Sequence, residues 1–296
     1  MADELRIDSQ PALERPVLIA AFRGWNDGGQ GASLAGAYLA RAWSAIEFAS
    51  IDPENFYDFQ ATRPMVSLVE GYTRRIEWPE NSFMYAPLPG GGRDSIILLG
   101  VEPNLRWRSF CDYVTQLAQQ FKVELVVTLG SLLADVPHTR PAPVTGSATD
   151  PELIERLGLQ ASRYEGPTGV VGVLHDACGR AGIASASLWA AVPHYVSLTP
   201  SPRAAKALVD RLGSLLGADV DTTELDEAAN AYAQQVSEAV SADEETSVYV
   251  QELERRVDEL AEEADIPSGD AIAAELTRYL RQRDKDKGDD DVAREQ

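Results

Sequence analysis

Pro16-Val-Leu-Ile-Ala-Ala-Phe-Arg-Gly-Trp-Asn-Asp-Gly-Gly-Gln-Gly31, running on into Ala32–Trp43, decides how the rest of the chain is read. Val17 to Phe22 is a short apolar run behind a proline, the pattern of a buried strand. The glycines at 24, 28, 29 and 31 then turn the backbone sharply. Beyond them Ala32, Leu34, Ala35, Tyr38, Leu39 and Trp43 fall at spacings of three and four, one face of a helix. A strand, a glycine turn and a helix N-terminus can bind an anion, because free N–H groups and the helix dipole converge there. Neither G-x-G-x-x-G nor G-x-x-x-x-G-K-[ST] is present, so a plain strand-to-helix connection stands beside the phosphate cradle as a reading.

Working outward, alternation continues. Apolar strands are predicted at Ala45–Ile51, Ser95–Leu99, Glu124–Leu129 and Ile183–Val192, with the strands before Gly100 and Gly130 ending at those glycines. Shorter strand-like pieces at Val66–Val69, Thr73–Trp78 and Ser82–Ala86, bounded by Gly71, Pro79 and Pro87, suggest a meander or hairpin at a sheet edge. Helices are predicted from about Asn104, as N-cap, to Phe121 with a stripe of Leu105, Phe110, Val114, Leu117 and Phe121, then over Pro151–Leu157. A further one opens after Tyr164–Gly169 with Thr168 as a cap, and another runs from Pro200 to about Leu216. Strands alternating with helices predict an α/β fold, with a mostly parallel sheet covered on both faces.

The chain changes character at Asp221. From there on it holds 23 acidic and 8 basic residues, net −15, while the first 220 residues hold the remaining 24 and 18, net −6, for −21 overall. Leu225, Ala228, Ala229, Tyr232, Val236 and Val240 repeat at helical spacing, as do Val248, Leu253, Val257, Leu260 and Ala264. A last helix is expected from Pro267 to about Arg281, and Asp284–Gln296, nearly devoid of apolar residues, is expected to be disordered. The organisation expected is a core domain over 1–220, an acidic helical extension over 221–283 and a tail over 284–296. Such a charge repels nucleic acid. No apolar run is long enough to span a membrane, and the polar start does not read as a targeting signal. Cys111 and Cys178, without C-x-x-C spacing, read as buried thiols in a reducing cytoplasm.

In parallel sheets ligands usually sit beyond the carboxyl ends of the strands. Four segments are expected there: Gly24–Gly31, Glu102–Arg106, Pro137–Pro141 and Pro193–Tyr195. His138 and His194 each follow a proline, with carboxylates at Asp27, Glu102, Asp135 and Glu165. Such a set suits general acid–base work, and equally suits loops held in shape by hydrogen bonds. Trp107 between Arg106 and Arg108 suits an interface, or a buried indole under arginine stems. His175, on a helix, reads as a surface or packing residue. No H-E-x-x-H, clustered cysteine or G-x-S-x-G pattern occurs, so no catalytic residue, metal ligand or cofactor is assigned. The candidate ligand or interface positions are Trp25, Asn26, Asp27, Gly28 and Gly29 on the first turn and Glu102, Arg106 and Trp107 on the second. His138 and Arg140 follow on the third, Glu165 and Thr168 before the fourth helix, and His194 and Tyr195 on the last.

Five segments in order carry a family likeness: Phe22-Arg-Gly-Trp-Asn-Asp-Gly-Gly29, Gly100-Val-Glu-Pro-Asn-Leu-Arg-Trp107, Leu133-Ala-Asp-Val-Pro-His-Thr-Arg-Pro141, Tyr164-Glu-Gly-Pro-Thr-Gly169 and Ser187-Leu-Trp-Ala-Ala-Val-Pro-His-Tyr195. Together they resemble the proteasome assembly chaperone 2 family, its actinobacterial branch above all, over about residues 15–216. The resemblance implies a three-layer α/β/α sandwich of the phosphorylase/hydrolase-like kind, assembled as a homo-oligomer, trimers included. It also implies non-catalytic binding of proteasome subunits, and supplies no agreed catalytic residues. Relatives that dock on proteasome rings often end in a hydrophobic–tyrosine–any-residue tail; Ala-Arg-Glu-Gln296 departs from it. Two functions are therefore carried forward: an assembly or interaction protein, and a hydrolase- or phosphorylase-like enzyme using the strand-end loops. A closed pocket containing His138, His194 and Asp27 would favour the enzyme. The same residues tied up in hydrogen bonds or in a subunit interface would favour the binding protein.

Overall fold

Strand β2 (Val17–Arg23) is buried along its whole apolar run, on both faces, and lies in the middle of an eight-stranded sheet. A computed structural model gives the structure for residues 4–265, apart from 70, 91, 149, 158, 160–163 and 197–199. The helix expected at 267–281 and the tail from Asp284 lie outside the described residues. By contacts the chain divides into two compact units, Met1–Ser247 and Val248–Gln296.

In chain order the sheet is built from β1 (Leu5–Ile7), β2, β3 (Ile46–Ile51), β6 (Asn81–Pro87), β7 (Asp94–Val101), β8 (Leu125–Ala134), β9 (Val144–Ala148) and β10 (Ser185–Pro193). Strands β4 (Met65–Val69) and β5 (Thr73–Glu77) form a separate antiparallel hairpin. The sheet order is β1-β3-β6-β7-β2-β8-β10-β9. The central run β7-β2-β8-β10 is parallel, and antiparallel strands flank it on both sides. All four parallel strands therefore end on one edge of the sheet.

Alternation along the central strands separates two cores. Val17, Ile19 and Ala21 face helices α1 (Gly31–Ala42) and α5 (Pro202–Leu216). Leu18, Ala20 and Phe22 face α2 (Trp107–Gln120) and α4 (Val170–Arg180), where Phe110 meets Phe22 and Phe56 edge-on. This is the three-layer α/β/α sandwich expected from the sequence, with the short helix α3 (Pro151–Leu157) beside β9. Helix α6 (Thr223–Ser241) lies against α5 and buries Leu225, Ala229, Tyr232 and Val236. The Tyr38 hydroxyl donates to the Asp221 carbonyl at 2.6 Å, and Lys206 bridges Asp210 and Asp226. Helix α7 (Glu244–Asp265) follows.

Several local expectations change. Asn104 does not cap α2; its side-chain amide oxygen accepts from the Asp58 N–H and the Thr62 hydroxyl, and the helix begins after Arg106, at φ +54°. Leu105 is half exposed, so the buried stripe starts at Phe110. Strand β8 does not stop at Gly130 but continues to Ala134, paired with β10 as far as Pro193, and Gly130 is a glycine because the Trp189 indole of β10 leaves no room for a side chain there. Strands β1 and β9 were not expected.

Cys111 on α2 and Cys178 on α4 are buried free thiols, and burial pushes both up to about 12. The thiolate is the reactive form. Neither cysteine should therefore react with a thiol reagent while the chain is folded, and both should react within the mixing time once it is unfolded. Labelling of either in native buffer at the rate of an exposed cysteine would contradict this packing.

Candidate functional site

The turn after β2 is held by two carboxylates. Asp27, buried, accepts at Oδ1 from the backbone N–H of Ala32 (2.9 Å) and Ser33 (3.1 Å) and from the Ser131 hydroxyl (3.3 Å). Its Oδ2 accepts from the Ser33 hydroxyl at 2.5 Å. These are first-turn N–H groups of α1, which have no partner inside the helix. The groups that would cradle an external anion are thus already occupied by an internal one. Pairing of Asp27 with Ser131, and donation from the Ser131 N–H to the Asn26 carbonyl, fasten the turn to β8.

Glu102, just past β7, gathers a second set. Oε2 accepts from the Trp25 N–H at 3.0 Å. Oε1 accepts from the Asn26 side-chain amide at 2.9 Å and the Val170 N–H at 2.8 Å. Helix α4 is therefore capped by a side chain 68 residues away, not by Thr168; its N-cap position is Gly169. A side chain at Gly169 would run into the Asn26 amide and the Glu102 carboxylate. Gly28 and Gly29 lie close over Leu132 and Val192, and Trp25, 65% exposed, is the turn's one large apolar group facing outward.

His138 is buried on the loop after β8. Its backbone N–H donates to the Tyr195 hydroxyl at 2.8 Å, Nδ1 lies 2.9 Å from that hydroxyl, and Nε2 lies 3.0 Å from the Ser237 hydroxyl on α6. The cavity bounded by His138, Arg140, Arg203 and Tyr232 is about 10 Å³, room for a single water at most. His194 reaches Asp135 at 3.1 Å on the surface and packs edge-on to Tyr195. The Arg140 carbonyl accepts from Arg203 at 2.6 Å.

The remaining candidates lie apart. Arg106 pairs with Glu4 at 2.8 Å and covers the Phe56 ring, while the Trp107 indole donates to the Pro103 carbonyl. Arg106, Tyr113 and Asn55 together hold the Glu4 carboxyl below its usual range, the Tyr113 bond foremost. Glu165 and Thr168 are exposed. All these residues share the carboxyl edge of the sheet or its flank, but they form separate knots: one around Asp27, one around Glu102, one around His138. Ser131 and Ser237 complete the knots around Asp27 and His138, and Glu4 holds Arg106; none of the three carries a motif that singles it out in the sequence. Among the described residues no cluster of histidine, cysteine or carboxylate side chains is disposed to hold a metal ion.

His175, half-buried on α4, places Nδ1 2.9 Å from the Ser185 hydroxyl; burial holds it below 6.5, and Asp176 only partly offsets this. A histidine held low in the fold binds its proton more readily when unfolded. Its contribution is therefore present above about pH 6.5 and is lost as pH falls through the lower folded value. Thermal melts at pH 7.5 and 5.5 should show a smaller acid loss for His175→Gln than for the parent chain. Equal losses would remove His175 from the acid response.

The fold and these knots define a class: an α/β/α domain whose strand-end loops are fixed by their own carboxylates and offer an exterior surface. The PAC2 family model matches residues 21–240, and the chain belongs to the PAC2 family. A PAC2 family protein from Streptomyces avermitilis is 46% identical, with a TM-score of 0.73 over 79% of this chain and 99% of its own. A proteasome-assembly chaperone homologue from Mycobacterium tuberculosis is 45% identical, with the same TM-score and the same coverage of both chains. An archaeal proteasome activator from Pyrococcus furiosus, 20% identical, shares the fold at a TM-score of 0.64 over 79% of this chain and 97% of its own. No curated protein matches the sequence.

Proposed function

We propose that this chain is a non-catalytic protein-binding factor of the assembly-chaperone kind, acting in the cytoplasm as a homo-oligomer and engaging proteasome subunits. The observation that carries the reading is the use of Asp27, Glu102 and His138 to bind their own loops. Each is satisfied by backbone or side-chain partners, and the cavity beside His138 is too small to admit a substrate. Kinship supports the partner: two relatives of the same fold are described as a proteasome-assembly chaperone homologue and a proteasome activator. Among the described residues no helix is long and apolar enough to cross a membrane. The net charge of −21 disfavours nucleic acid and favours a basic protein surface.

The residues proposed to meet the partner are the outward members of the strand-end set, Trp25, Arg140, Glu165 and Thr168. Affinity capture with the full chain from its native lysate, scored for proteasome subunits, tests the proposal. Enrichment of those subunits that weakens as salt is raised is expected. Absence of enrichment at low salt would overturn the partner assignment.

A further inference from the structure

The hairpin β4–β5 stands apart from the sheet with its apolar side chains in water. Register pairs Val66 with Ile76 and Leu68 with Arg74, so these four share one face. Val66, Leu68 and Ile76 are 58%, 63% and 58% exposed. An isolated two-stranded hairpin is marginal in water, and a contiguous exposed apolar face marks an interaction site. The hairpin's root is nonetheless fixed, because Trp78 packs edge-on against Phe59 at 4.8 Å.

Beside that root lies an open groove of about 970 Å³ running between α1, β6 and β7. Its floor holds Leu34, Met84 and Leu99, all half-buried in the single chain, and Ala37, exposed. Its charged lining is Arg23, Arg63, Glu47, Glu77 and Glu80. Glu47 and Glu80 form no ion pair among the described residues, and burial together with the Glu80 charge holds the Glu47 carboxyl above its usual range. On the hairpin's apolar face Arg74 likewise forms no ion pair among the described residues, while Arg75, paired with Ser67, lies on the opposite face. The chain, whose overall charge is −21, thus carries a basic residue on an exposed apolar face and, in the groove, three glutamates against two arginines. Copies of such a chain repel each other at long range, and the arm brings a positive charge to a contact.

We infer that the hairpin of one copy docks into the α1–β6–β7 groove of a second copy, with Val66, Leu68 and Ile76 on Leu34, Met84 and Leu99 and with Arg74, on the same face, against Glu47 and Glu80. This rests on the homo-oligomeric part of the function proposed above. The contact is heterologous, arm into groove, and closes by rotation into a ring or by exchange of two arms.

Light scattering on the full chain at micromolar concentration tests it. The parent chain should return a multiple of 32.1 kDa. Arg74→Glu, and separately Glu47→Lys with Glu80→Lys, place like charges against each other and should weaken assembly at least about 100-fold, to the 32.1 kDa species. The three changes combined restore the opposition with signs exchanged and should restore the assembly. Leu68→Ser with Ile76→Ser should also give single chains with an unchanged circular dichroism spectrum, since both side chains are exposed. A parent chain of 32.1 kDa would overturn the oligomer itself, leaving the hairpin face to another protein. A parent assembly that none of these changes disturbs, or one that the combined variant fails to restore, would overturn the arm-and-groove contact alone.

Discussion

Glu102→Ala should lower the stability of the chain by about 3 kcal/mol, the cost of leaving several donors without the carboxylate they were built around. The Trp25 N–H, the buried Asn26 amide and the first N–H of α4 all converge on its two oxygens. Removing the acceptor leaves the buried Asn26 amide without its carboxylate partner and α4 uncapped. Glu102→Gln retains one carbonyl oxygen but sets an NH₂ donor against a donor, so it should fall between Ala and the parent. Thermal melts should show a drop on the order of 10 °C for Glu102→Ala, at about 2–4 °C per kcal/mol for a domain of this size. A drop under 2 °C would mean that the carboxylate is not what fastens the turn to α4.

Asp27→Ala should cost a similar amount, about 3 kcal/mol, through a different helix. Asp27 binds the first N–H groups of α1, together with two serine hydroxyls, and the helix dipole favours a negative charge at that end. Asp27→Asn keeps an acceptor for the helix while losing the charge, so about half the loss should return. If Asp27 were instead a catalytic base, Asn and Ala would be equally inactive in any assay and stability would move little. Equal melting temperatures for the parent and both variants would contradict the capping role.

The sheet was legible because its central strands are written as unbroken apolar runs. Val17–Phe22 and Ile96–Leu98 are buried on both faces, and only a parallel sheet between helix layers hides such runs. Strand β1 has three residues, and β9, Val-Thr-Gly-Ser-Ala, has no apolar alternation; both are strands because a neighbour offers them an edge. Gly130 reads as a terminator until Trp189, 59 residues on, is placed above it. The site shows the same division. That Asp27, Glu102 and His138 sit at strand ends follows from the order of runs and turns along the chain. That each is spent on its own scaffold does not, since their partners Val170, Ser131 and Ser237 are far away in sequence and of ordinary type. Helix α6 illustrates the point in reverse. Its apolar spacing is plain in the sequence, whereas its packing on α5 and its Ser237 contact with His138 depend on the fold.

The proposed function makes this edge of the molecule a platform for protein binding rather than a reaction centre. Titration of purified proteasome subunits against the full chain, followed by interferometry at low and high salt, tests it most directly. Saturable binding that weakens with salt, and that is reduced when Trp25 is replaced by Ala without loss of thermal stability, is the expected result. No binding by a folded, assembled chain at any salt concentration would contradict it.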